Sequence, residues 1–173
     1  MKIAHIERES MVDGTGIRMA VFVQGCLRHC PCCHNQHTWD PHGGTEYTTE
    51  QLLELYDDNP LLDGITLTGG EPLLQAEGLV PFAREVWKRG GTVWLYTGYY
   101  LHEINSGNAP AGTDKLIEYV DVIVDGPFLF QERDLSLKFR GSRNQNIWYH
   151  SGNNVWQRMD EDDQTWQHRT KAE

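Results

Sequence analysis

Short, almost wholly apolar runs alternate along this chain with longer segments whose apolar residues recur every three or four positions. Arg18-Met19-Ala20-Val21-Phe22-Val23, Gly64-Ile65-Thr66-Leu67-Thr68, Thr92-Val93-Trp94-Leu95-Tyr96 and Val120-Asp121-Val122-Ile123-Val124 read as strands. Between the first two, Thr48-Thr49-Glu50-Gln51 has the form of a capping box and opens a helix through Leu52, Leu53, Leu55 and Tyr56. Val80, Ala83, Val86 and Trp87 sit at helical spacing ahead of a Gly90-Gly91 stop. Strands this apolar, separated by helices, predict an α/β fold whose strands run parallel and are covered on at least one face.

That fold gives the turns a shared address. Parallel α/β sheets and barrels bind ligands where the strands deliver their C-terminal ends. Here the four strands deliver a cysteine-rich loop, Gly69-Gly70-Glu71-Pro72, Thr97-Gly98-Tyr99 and Asp125-Gly126-Pro127-Phe128. Each alone reads as an ordinary turn, but together they predict one functional rim.

Charge narrows the function. Fifteen Lys and Arg against 25 Asp and Glu leave a net charge of −10 over 173 residues. Such an acidic chain is poorly suited to neutralising phosphates, so a nucleic-acid surface is not expected, nor is attraction to an anionic membrane. No segment has the length of a membrane span, and the start lacks the apolar stretch of a secretory signal, which points to the cytoplasm. Thiols remain reduced there.

All four cysteines fall within eight residues: Cys26, Cys30, Cys32 and Cys33. A disulfide framework closes long loops, so this clustering points to a metal instead. Cys26, Cys30 and Cys33 form a C-x3-C-x2-C set, whereas using Cys32 would give C-x3-C-x-C. Soft thiolates suit an iron–sulfur cluster or zinc, and His29, His34, His37 and His42 lie near enough to complete a zinc site. Three thiolates on a four-iron cluster leave one iron without a protein ligand, whereas electron-transfer clusters usually have four cysteines.

The three-cysteine motif, followed by Gly69-Gly70-Glu71-Pro72, resembles the radical S-adenosylmethionine superfamily. More narrowly, Asp13-Gly14-Thr15-Gly16-Ile17-Arg18, Cys33-His34-Asn35 with Thr38-Trp39, Trp94-Leu95-Tyr96-Thr97-Gly98-Tyr99, Val120 to Gly126 and Arg140-Gly141-Ser142-Arg143-Asn144-Gln145 resemble the family that activates anaerobic ribonucleoside-triphosphate reductases. The resemblance implies a partial TIM-like barrel over residues 1–150 and leaves 151–173 uncovered as a tail, whose acidic run Asp160-Glu161-Asp162-Asp163 is expected to be solvated or frayed. It assigns a [4Fe-4S] cluster to Cys26, Cys30 and Cys33, with S-adenosylmethionine on the open iron. The backbone of Cys32, Cys33 and His34 is expected against the adenine and Gly69 and Gly70 against the methionine moiety. Glu71 is expected at the amino group and Asp125 at the ribose or the carboxylate. The product would be a glycyl radical on the reductase's large subunit, with an electron donor such as flavodoxin.

The alternatives are another radical enzyme, of the 7-carboxy-7-deazaguanine synthase type or activating a different glycyl-radical enzyme, and a non-enzymatic zinc or iron–sulfur module. Arg18 is expected to pair with an acidic neighbour. Trp39, Trp87 and Trp94 are expected to pack in the core or rim, and Trp156 and Trp166 leave a docking role open.

Overall fold

The computed structural model describes residues 1–152 and 155–159. Eight strands form one sheet: β1 (Lys2–Ser10), β2 (Arg18–Val23), β3 (Thr45–Glu46), β4 (Gly64–Gly69), β5 (Thr92–Tyr96), β6 (Val122–Asp125), β7 (Asn146–His150) and β8 (Trp156–Arg158). Their spatial order is β3-β1-β2-β4-β5-β6-β7-β8. The four strands expected from apolar content are β2, β4, β5 and β6, and they pair in parallel. The flanks differ from the expected all-parallel sheet, since β1 and β3 on one side and β7 and β8 on the other pair antiparallel. From β1 to β2 the chain returns through a short connection, which allows only an antiparallel neighbour. The outermost strand β8 lies within the stretch assigned from sequence to the tail, whereas Asp160–Asp163 and Trp166 fall outside the described residues.

Four α-helices connect the strands: α1 (Thr49–Asp57), α2 (Ala76–Lys88), α3 (Leu101–Asn105) and α4 (Thr113–Ile117). The capping box is present at α1, where the Thr48 side chain accepts from Gln51 N–H and the Gln51 side chain accepts from Thr48 N–H.

Side-chain alternation separates two faces of the sheet. Met19, Val21, Ile65, Leu67, Val93 and Leu95 form the main core with Leu52 of α1 and Leu79, Phe82 and Val86 of α2. Trp94, Val122, Val124 and Ile147 point the other way, where Phe139 meets Trp94 edge-on at 5.3 Å. The helices thus cover one face, and the loop between β6 and β7 folds over part of the opposite one. Trp94 is fully buried, while Trp39 and Trp87 are half-buried, in line with packing roles. Trp156 packs against the main core and edge-on to His150, 4.9 Å away.

Candidate functional site

Leaving β2, the chain folds the cysteine segment into a closed loop. Gly25 N–H donates to Thr38 O at 2.7 Å and Cys26 N–H to Trp39 O at 3.1 Å, so residues 26–38 leave and return at one point. The Gln24 amide bridges His37 O and Asp40 O inside the neck. Within the loop, Cys33 N–H donates to Cys30 O at 3.1 Å, while His29 and Cys32 take left-handed backbone angles, φ 45° and 59°. Such angles are uncommon outside glycine and make the chain reverse sharply.

The reversal sorts the four thiols. Cys26, Cys30 and Cys33 line one cavity of about 150 Å³ together with Gly69, Gly70 and Glu71, whereas Cys32 is exposed and takes no part in its wall. Among the described residues, no three Cys, His, Asp or Glu side chains gather closely enough for a single ion. Three soft thiol donors lining one cavity fit an iron–sulfur cluster. The sulfurs also have donors: burial pushes the Cys26 thiol up, and the N–H groups of Arg28 and His29 oppose it. Asn35 N–H lies 3.4 Å from Cys33 Sγ.

Gly69 and Gly70 close the wall from β4. A Cβ on Gly70 would lie 2.3 Å from Gly25 O, and one on Gly69, at φ 96°, 2.6 Å from Phe22 Cα. Gly70 N–H donates to Val23 O and Glu71 N–H to Gly25 O, both at 2.8 Å. The glycines therefore let the end of β4 lie directly on the backbone leading into the cysteine loop.

Glu71 is buried rather than an exposed turn carboxylate. Its Oε1 accepts from Thr97 Oγ1 at 2.8 Å and Leu73 N–H at 3.1 Å, and its Oε2 from Gly98 N–H at 2.8 Å. Burial pushes its carboxyl up, against these three donors and the nearby Arg28 guanidinium. Asp125 is likewise engaged: Oδ2 accepts from Leu101 N–H, and Oδ1 from the backbone and side-chain N–H groups of Asn146. These carboxylates tie the β4 turn to the β5 turn and the β6 end to α3 and β7. Asp125 does not line the cavity, though its neighbour Gly126 does.

Arg18, expected to pair with an acidic neighbour, makes its direct hydrogen bonds to neutral oxygens. Its guanidinium is fully buried at the opposite, N-terminal ends of the strands and donates to Thr66 Oγ1, Thr92 Oγ1 and the carbonyls of Thr15, Ile65 and Thr92. Burial lowers its pKa to about 10. Those neutral oxygens take its N–H groups, while the Asp121 and Asp63 carboxylates oppose the effect of burial through space.

Sequence reasoning passed over several residues. Arg28 lies over the Tyr99 ring, 4.2 Å from its centroid, and 3.6 Å from Glu103, forming part of the cysteine cavity's edge. A second cavity, of about 430 Å³, adjoins the first and holds His34 in its wall. Cys33, Asn35, Thr68, Tyr96, Phe128 and Gln145 line both. Alternation along β4 and β5, which aims Thr68 and Tyr96 away from the helix-covered core, was the available signal. Asn35 could not be placed before the loop was closed.

Residues 12–148 match the model of the 4Fe-4S single cluster domain. The anaerobic ribonucleoside-triphosphate reductase-activating protein of Haemophilus influenzae is 34% identical over 145 residues, 79% of this chain and 90% of that protein. The protein of the same name from Vibrio cholerae is 35% identical over 79% of this chain and 90% of its own, and that of Enterobacteria phage T4 is 34% identical over 84% and 91%. Among solved structures, QueE from Escherichia coli aligns with 56% of this chain and 52% of its own at 20% identity and a TM-score of 0.43, too partial a likeness to build on. The chain belongs to the anaerobic ribonucleoside-triphosphate reductase-activating protein family, within the 4Fe-4S single cluster class.

Proposed function

We propose that this chain activates an anaerobic ribonucleoside-triphosphate reductase by installing a glycyl radical on its large subunit. The observation that carries this reading is the sorting of the thiols: Cys26, Cys30 and Cys33 share a cavity with Gly69 and Gly70, and Cys32 stays outside it. A four-iron cluster held by these three thiolates would keep one iron open to S-adenosylmethionine. When bound, the [4Fe-4S] cluster and S-adenosylmethionine supply reductive sulfonium cleavage, yielding methionine and a 5′-deoxyadenosyl radical that takes hydrogen from glycine.

The chain's own residues bind, orient and exclude water. Cys26, Cys30 and Cys33 are the cluster ligands, and the N–H groups of Arg28, His29 and Asn35 stabilise negative charge on sulfur. The flat glycine wall would receive the methionine moiety, and the loop backbone at Cys32, Cys33 and His34 would lie along the adenine. Glu71 and Asp125, each already holding several N–H groups, act by keeping the rim in register.

In this reading residues 1–150 form a radical S-adenosylmethionine domain whose sheet is an incomplete barrel. Its open side suits a protein substrate. An electron donor such as flavodoxin serves the cluster in the cytoplasm; among the described residues no helix is long and apolar enough to cross a membrane.

The test is anaerobic reconstitution with iron and sulfide, reduction, and addition of S-adenosylmethionine and the reductase. Cluster absorbance, 5′-deoxyadenosine and a glycyl radical seen by electron paramagnetic resonance are expected. Bound zinc with no cleavage would overturn the reading.

A further inference from the structure

The throat between the two cavities carries polar groups that the fold leaves unused. Thr68 and Tyr96 stand on neighbouring strands, one step past the Leu67–Leu95 pair, and both face away from the helices. Asn35 reaches the same wall from the cysteine loop. Neither hydroxyl, nor the Asn35 side-chain amide, makes a hydrogen bond among the described residues, whereas Gln145 in the same wall is engaged by Gly126 O and the N–H groups of Gly141 and Ser142. Thr68 is buried and Asn35 and Tyr96 are half-buried where all three line the cavity walls, and a few polar groups converging in such a wall are the usual mark of a ligand contact. Burial, with the Asp13 carboxylate behind it, also holds the Tyr96 hydroxyl protonated far above the ordinary phenol range, so it remains a donor at any working pH.

We propose that Asn35, Thr68 and Tyr96 grip the main chain of the partner's glycine-bearing segment where it passes from the larger cavity to the smaller. This rests on the activase reading and names how the protein substrate is held. A glycine has no side chain to read, so its segment can be positioned only through backbone N–H and C=O groups. An amide and two hydroxyls can donate to one and accept from the other. The larger cavity is the entry: it lies on the face without helices, and Val12 and Leu135, 77% and 80% exposed, form part of its wall. Hydrogen bonds made to the backbone at the throat set the glycine Cα beside the cysteine cavity, where hydrogen is removed.

Tyr96→Phe and Thr68→Val each delete one hydroxyl with little change of shape. Two readouts decide the matter: affinity of the unloaded protein for a fluorescent peptide spanning the reductase's glycine, and 5′-deoxyadenosine released per glycyl radical in the reconstituted enzyme. For either variant we expect peptide affinity to fall about tenfold, the loss of one well-placed hydrogen bond, with more 5′-deoxyadenosine per radical and an unchanged KM for S-adenosylmethionine. Unchanged peptide affinity and coupling in both folded variants would overturn the assignment, as would a loss confined to the KM for S-adenosylmethionine. If the wild-type enzyme itself cleaves no S-adenosylmethionine, the activase reading fails first; a working wild type with indifferent variants sinks only the throat.

Discussion

The two ends of the parallel strands carry similar glycine-rich signatures and do opposite things. At the N-terminal ends, Gly14-Thr15-Gly16-Ile17-Arg18 is held within the fold, with only Asp13 reaching the wall of the larger cavity: Arg18 meets five oxygens, Ile17 N–H meets Asp63 Oδ2 at 2.8 Å, and the Thr66 hydroxyl meets Asp13 O at 2.7 Å. At the C-terminal ends, Gly69-Gly70-Glu71 borders the smaller of two adjoining cavities, whose walls carry three thiols and the side chains of Asn35, Thr68 and Tyr96. Hydrogen bonds within the fold occupy the polar groups at one end, whereas at the other several line cavity walls. A glycine-rich motif is therefore no guide to function until its neighbours' hydrogen bonds are counted.

The largest expected effect breaks the functional end outright. Cys33→Ala should abolish both the cluster's absorbance and the glycyl radical, whereas Cys32→Ala should retain most of each; the reverse result would mean that the sorting of thiols is wrong. At the other end, Arg18→Met strands buried carbonyls and hydroxyls and should cost about 3 kcal/mol in urea unfolding. Protein that still folds should load its cluster normally, and a loading defect would erase the distinction between the ends.

Two glycines sharpen it further. Gly70→Ala drives a Cβ to 2.3 Å from the Gly25 carbonyl, which is fixed backbone. About 1–3 kcal/mol of overpacking strain is expected, with reduced cluster content by iron assay. Gly16→Ala meets the exposed Asp63 side chain, with Oδ2 at 2.2 Å and Cβ at 2.9 Å, so Asp63 must shift and give up its bond from Ile17 N–H, in addition to the left-handed backbone penalty of about 1–2 kcal/mol at φ 76°. Its cluster content should match wild type.

The smallest effect lies in the loop over the cavity. The Ser136 hydroxyl, the Ser136 N–H and then the Arg143 guanidinium hold the Asp134 carboxyl down at about 2, against an ordinary 3.8. A lowered pKa means that the contribution is complete above 3.8 and is lost as pH falls through about 2. Asp134→Asn should flatten the acid limb of thermal stability measured across that window.

Much of the scaffold was readable beforehand. The four parallel strands are nearly continuous apolar runs because both their faces are covered, and the Thr48–Gln51 box is a local arrangement that needs no distant partner. The flanking strands were not legible. Strand β1 leaves Glu7, Arg8 and Glu9 exposed, and β7 is mixed in burial, so neither presents an apolar run. At the site, the three cysteines proposed as ligands are singled out by spacing, but the posts of Glu71 and Asp125 are not. A carboxylate in a Gly-Glu-Pro or Asp-Gly turn looks solvent-facing until the chain returns with Thr97, Gly98 and Asn146 to bury it.

By itself, the sequence determined the parallel α/β core and the choice of three thiols out of four, because both depend on local periodicity and short spacings. Tertiary structure alone decided which glycine motif faces a cavity, which carboxylates are consumed as braces, and that Asn35, Thr68 and Tyr96 meet at one throat. Those outcomes turn on hydrogen-bond partners far apart in the chain, which no local pattern encodes.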